Sequence, residues 1–173
     1  VSEYTSWQPG GTAVIGIHLQ PEEMWHTYWR NSGDSGEAPV INITSVPELE
    51  FGEIHWPLPK AIPVAHLVNY GYEGSNLLIL TAPVPDDLTS ESIQVNASLS
   101  WLVCKEDCIP GSAELSLTMP LSANLTPSVH AALFEQTRQT WPSPNTLIGQ
   151  FEVNQEHNVV RYLYKSCDDP DQT

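Results

Sequence analysis

The chain has 173 residues, 40% of them hydrophobic, and sets 21 acidic side chains against 6 basic ones for a formal charge of −15. That length suits one well-buried domain plus an appendage. The acidic surface repels phosphate backbones and anionic headgroups, which argues against nucleic acid or direct membrane contact. The longest unbroken aliphatic run, Leu77-Leu78-Ile79-Leu80, falls far short of the ~20 residues of a membrane span.

With no basic-then-apolar opening segment, the sequence predicts that any export signal has already been removed. The sequons at Asn42, Asn96 and Asn124 matter only in a eukaryotic secretory pathway, of which there is no other sign. Many prolines and glycines point to turns rather than long helices.

In chain order, several stretches show the two-residue period of half-buried strands. Within "GTAVIGIHLQ", Ala13, Ile15, Ile17 and Leu19 share one face. "PVINI" and "LEFGEIHW" follow, the latter punctuated by Pro57 and Pro59. "NLLILTAPV" reads as a short buried strand closed by Pro83 and Pro85. The longest alternation is "SIQVNASLSWLVC", where Ile93, Val95, Ala97, Leu99, Trp101 and Val103 lie on one side. Ala113, Leu115, Leu117 and Met119 resume the pattern up to Pro120.

Short strands separated by turn residues predict an all-β fold, an immunoglobulin-like antiparallel β-sandwich, with a closed barrel as the alternative. The sandwich domain is expected over residues 1–125. "TPSVHAALFEQTRQTW" then predicts a helix or linker at 126–141, capped by Thr126 with Pro127 at the first helical position. Residues 142–173 hold a candidate hairpin around Asn154–Asn158. They form either a β-hairpin extension or the start of a second domain.

The segment "WLVCKEDCIPG" at 101–111 carries two of the three cysteines, Cys104 and Cys108. Strand parity puts Cys104 with the polar Gln94, Asn96, Ser98 and Ser100, facing away from the core. A hairpin turning at Lys105-Glu106-Asp107 sets both sulfurs side by side on an accessible face, with cross-strand Cα separations of about 4.5–5.5 Å that allow a disulfide.

Three roles compete. As a staple, a ring of about five residues gains only roughly 2 kcal/mol of loop-closure stabilisation, against almost 5 for a ring of ~100. As a metal site, the pair lacks partners for a closed zinc centre. His18, His26, His55, His66, His130 and His157 are scattered without paired spacing, though two thiolates alone suit Cu(I). As a redox relay, the pair combines accessibility, close spacing and a short ring. Glu106 and Asp107 oppose thiol ionisation and Lys105 favours it, so the pair is not a hyper-reactive nucleophile. The redox role leads.

This segment also resembles the periplasmic N-terminal domain of transmembrane thiol:disulfide interchange reductases. The nearest branch is the suppressor of copper sensitivity B (ScsB) type, related to DsbD. "WHTYWRNSGDSGEAP" at 25–39, "IHWPLPKAIP" at 54–63 and "YGYEG" at 70–74 are similar in order and approximate spacing, so the likeness runs from about residue 7 to 120. The resemblance implies an immunoglobulin-like fold with one redox-active pair, Cys104 and Cys108, and no cofactor. It implies electrons supplied by the protein's own membrane-embedded and thioredoxin-like domains, and thioredoxin-fold periplasmic proteins as the partners reduced. The setting implied is the periplasm of a Gram-negative bacterium, as part of an inner-membrane protein.

Family members can cover the cysteines with a cap loop, which by chain order makes Asn69, Tyr70 and Tyr72 candidates. Trp25, Tyr28 and Trp29 read as an aromatic anchor, with Tyr28 or Trp29 shielding the disulfide as the alternative. Arg30 and Asp34 are expected to pair across the loop between them. Cys167 matches no family motif and is expected to be either a free thiol or one whose context lies beyond residue 173. The competing readings are a non-enzymatic binding module with a structural hairpin disulfide and a Cu(I)-binding module.

Overall fold

A computed structural model describes residues 1–142 in full and the backbone of 149–154 and 159–164. The expected turn at 155–158, Cys167 and the acidic tail lie outside the described residues.

The long alternation becomes β7 (Ser92–Cys104), which pairs antiparallel with β8 (Cys108–Pro120) from Ser92↔Pro120 to Cys104↔Cys108. Along its other edge β7 meets β3 (Val40–Val46) over Gln94–Ser100, then β2 (His26–Gly33) at a single position, His26↔Cys104. Two further strands complete this sheet, β5 (Leu67–Glu73) beside β2 and β4 (Lys60–Val64) beside β5.

A second sheet joins β1 (Thr12–Leu19) to β6 (Asn76–Pro83). The two sheets face each other through one core. Ala13, Ile15 and Ile17 of β1 and Leu78, Leu80 and Ala82 of β6 pack with Ile93, Val95, Ala97 and Leu99 of β7. Separate facing sheets make the fold a sandwich, the first of the two expected architectures.

The second sheet is buried on both sides. Val14, Leu77 and Ile79 form a smaller cluster on its outer face with Phe134 of the helix α1 (Ala131–Arg138). The close approach requires a glycine, since a Cβ on Gly16 would press against Leu77 and the Phe134 ring. The sequence pattern reads β1 as a half-buried strand, and the helix accounts for the burial of its other face.

That helix is shorter than expected and starts later. Thr126 and Pro127 are occupied by the N-terminal segment, through Thr5 N–H donating to the Thr126 carbonyl (2.9 Å) and a bridge between Tyr4 and Pro127. The same segment is tied to α1 by a forked ion pair, Arg138 Nη1 and Nη2 each 2.6 Å from the Glu3 carboxylate oxygens. Trp7, 1% exposed, anchors it in the core. The helix therefore belongs to the sandwich and is not a linker leaving it.

"LEFGEIHW" is not a ladder strand. It follows β6 through isolated contacts, Gly52 N–H to the Thr81 carbonyl and His55 N–H to that of Ile79 (2.9 and 2.8 Å), and prolines at 57 and 59 stop any extension.

The chain divides into two compact units, Val1–Trp141 and Pro142–Thr173. Within the second, β9 (Gly149–Asn154) and β10 (Val159–Tyr164) pair antiparallel from Asn154↔Val159, forming the expected hairpin.

Candidate functional site: a half-buried disulfide

The β7–β8 ladder ends on its cysteines. Cys104 and Cys108 are directly opposed, 4.1 Å apart at Cα, and joined as a disulfide. Lys105 N–H donates to the Asp107 carbonyl (3.1 Å) and closes the turn. The even-numbered face of β7 points away from the core, as parity predicts. The two cysteines are not equally accessible, however: Cys104 is only 3% exposed whereas Cys108 is an exposed residue. The expectation of two accessible sulfurs is corrected by what lies across β2.

His26 stands opposite Cys104 in the ladder, so its side chain shares the cysteine's face. Tyr28, two residues on, occupies that face too, and the His26 and Tyr28 rings meet edge-on at 5.1 Å. The Tyr28 hydroxyl lies 3.7 Å from Cys108 Sγ. A disulfide sulfur carries no proton, so the hydroxyl is the donor. Burial raises the Tyr28 pKa above its ordinary value, and the hydroxyl stays protonated throughout the physiological range.

Tyr28 is held down in turn. The turn after β2 brings Gly36, at φ +81°, against its ring, where any Cβ would collide with ring carbons. Asp34 and Ser35 fasten this turn to β5. Val68 N–H donates to Asp34 Oδ2 (2.8 Å), and Asn69 Oδ1 accepts from both the N–H and the hydroxyl of Ser35, each at 3.0 Å.

Each sequence-derived candidate thus has a place. Tyr28 is at the disulfide. Trp29 points the other way, packs against the main core and lies beneath the Arg30 guanidinium, 5.2 Å from the ring centroid. Asn69, 1% exposed, reaches the disulfide only through Ser35, Gly36 and Tyr28. Tyr72 is buried with its hydroxyl donating to the Pro57 carbonyl (2.9 Å) and its pKa pushed up by burial. Tyr70 is partly exposed on the same strand.

The stretch read as a cap loop is therefore β5, hydrogen-bonded on both edges, and the disulfide is covered by β2 and the turn following it. The expected Arg30–Asp34 ion pair is replaced by Asp34's bond to the Val68 amide. His26 was treated as one scattered histidine. The signal that finds it is parity within "HTYW", which places His26 and Tyr28 on one face once that stretch is read as a strand.

The opposite face of the cysteine hairpin borders an open groove of about 750 Å³, lined among others by Leu19, Trp25, Trp101, Val103, Ile109 and Leu115. Among the described residues, no group of three or more His, Cys, Asp or Glu side chains is placed to hold a metal ion.

This cover predicts a reactivity difference. In the reduced chain, Cys108 should alkylate readily and Cys104 slowly. Tyr28→Ala should raise the Cys104 rate on the order of tenfold by opening access. Mass spectrometry of the alkylated peptides measures both sites, and an unchanged Cys104 rate would show that Tyr28 is not the shield.

Residues 2–120 match the family described as thiol:disulfide interchange protein DsbD, N-terminal. The chain belongs to that family. The family's matched segment contains every strand of the two sheets and the Cys104–Cys108 hairpin, so the chain is a thiol:disulfide interchange domain of the DsbD N-terminal type.

Among solved structures, the N-terminal periplasmic domain of ScsB from Proteus mirabilis is similar in fold, with a TM-score of 0.57 and 23% identity. The match covers 88% of this chain and 64% of that one, so the present chain spans just under two thirds of it. The reduced DsbD N-terminal domain of Neisseria meningitidis gives a TM-score of 0.37 at 14% identity, over 69% of this chain and 85% of that one. No curated protein matches the sequence.

Proposed function

We propose that the chain is the ScsB-type electron-delivering domain of a periplasmic thiol:disulfide reductase, working through Cys104 and Cys108. The observation that carries this reading is the unequal burial of the two cysteines, Cys108 an exposed residue at the hairpin tip and Cys104 a buried one beside it. The exposed thiolate attacks a partner disulfide, forming a mixed disulfide at Cys108. Cys104 then attacks Cys108 Sγ, closes the 104–108 bond and releases the partner as a dithiol. Tyr28, with its hydroxyl at Cys108, acts as the shield that keeps stray thiols from Cys104.

On this reading the partners are thioredoxin-fold periplasmic proteins. The donors are the membrane-embedded and thioredoxin-like domains of the same inner-membrane protein in a Gram-negative bacterium. The acidic surface favours partners with a basic rim around their own cysteines.

The test is the reduction potential of the 104–108 pair, measured against glutathione redox buffers. A relay should lie above about −300 mV, near its donors and acceptors, whereas a structural staple lies below that value. A pair that periplasm-like glutathione mixtures never reduce would make the disulfide structural.

A further inference from the structure

His26 is 4% exposed, and its Nε2 has no hydrogen-bond partner. A buried imidazole nitrogen without a partner is costly, and such groups are normally satisfied. The strand opposite supplies the explanation. His26 is the cross-strand neighbour of Cys104, and its ring rests on Tyr28, whose hydroxyl reaches Cys108. The imidazole therefore lies on the same covered face as Cys104, beside the ring whose hydroxyl reaches Cys108. In the disulfide state those sulfurs carry no proton, so Nε2 finds no donor. Reduction creates one, the Cys104 thiol.

We propose that His26 is the proton acceptor for Cys104 in the resolving half of thiol:disulfide exchange. This rests on the exchange reading above and adds a residue to it. In the Nδ1–H tautomer, Nε2 is unprotonated and able to accept the proton of a neighbouring thiol. Once the mixed disulfide has formed at Cys108, the Cys104 S–H proton passes to Nε2. The thiolate pair of electrons then forms the Cys104–Cys108 bond, the bond from Cys108 to the partner sulfur breaks, and the partner leaves as a thiolate. The imidazolium returns its proton to that thiolate or to water. Two electrons and two protons leave the domain in total, and no further oxidant is needed.

The surroundings fit a base rather than a permanent cation. Burial lowers the His26 pKa below its ordinary value, and Glu73, the register partner on β5, opposes that shift only in part. The other titratable groups facing it are Tyr28 on its own strand, and Cys104 with its partner Cys108 from the β7–β8 hairpin. A neutral imidazole at neutral pH is therefore available where a buried thiol, reluctant to ionise unaided, has to lose its proton.

The experiment uses the reduced full chain and an aromatic disulfide reporter, dithiobis-nitrobenzoate. Its first thiolate release reports attack by Cys108, and its second reports resolution by Cys104. Because the leaving group is a good one, the second phase depends on how Cys104 is deprotonated. In the wild-type chain the second-phase rate should be level through neutral pH and decline only on acidification through the His26 pKa.

In His26→Gln the second phase should be slower by about 100-fold near neutral pH and rise about tenfold per pH unit, as specific-base ionisation requires. It should rejoin the wild-type rate in alkali, with the first phase unchanged. A second phase slowed equally at every pH would make His26 merely structural and overturn the proposal. So would a wild-type second phase that itself climbs tenfold per unit through neutrality, a result that needs no variant. A wild-type chain with no first phase would instead remove the exchange reading itself.

Discussion

Cys104→Ser should hold a disulfide-bearing partner as a stable mixed disulfide, while Cys108→Ser should capture none. The asymmetry follows from the ladder ending. Cys108 is exposed and can be reached by a second protein, whereas Cys104 is buried, with His26 as its ladder neighbour and Cys108 as the sulfur within its reach. Removing the resolving thiol leaves the first step intact and blocks the second, so the covalent intermediate accumulates. Removing the attacking thiol leaves a sulfur that no protein-sized disulfide can approach. Turnover should fall by at least ~10³-fold in both variants, because each removes one of the two reacting sulfurs. Non-reducing electrophoresis of each variant after incubation with an oxidised thioredoxin-fold protein reads the outcome. Trapping through Cys104 instead would reverse the order of attack, and wild-type turnover in both variants would end the exchange reading.

Phe134→Ala should destabilise the first unit by about 3–5 kcal/mol, the range for deleting a fully buried phenylalanine. Phe134 is 0% exposed and closes the outer face of the second sheet over Val14, Leu77 and Ile79. Glycine at position 16 admits the ring so closely that little relaxation can refill the hole. Against a typical total of ~5–15 kcal/mol, the loss is severe. An eight-residue helix has little stability of its own, so α1 should detach with its anchor. Urea unfolding of wild type and variant gives the difference, with Val129→Ser as control because Val129 is 93% exposed. A cost below about 1 kcal/mol would mean that the helix is not part of the core.

Much of this was legible in sequence because two-residue periodicity is strongest where one face is buried and the other polar. β7 is such a strand, and its parity put Cys104 on the outer face correctly. Parity says nothing of what covers that face. The burial of Cys104 arises from β2, seventy-odd residues earlier in the chain, through a single register pair. β2 itself was hard to read, because "HTYW" is aromatic on both parities: Tyr28 serves the disulfide side and Trp29 the core side. β5 was hidden similarly, its glycine and tyrosines resembling a loop although both its edges are paired. The helix cap failed for a different reason. Thr126 and Pro127 have the right chemistry for a helix start, but the N-terminal segment pairs with them first.

The thirteen-row ladder between β7 and β8 has a consequence for how the domain ages through its cycle. The fold stabilises the disulfide by the same free energy with which the disulfide stabilises the fold. Here the ring is short and the sulfurs are near neighbours even in an unfolded chain, so that shared term is small. Oxidation and reduction therefore leave the sandwich nearly equally robust. If the domain works as the proposed relay, it presents the same fold to its partners in both states, and neither state is a weak moment for proteolysis or aggregation.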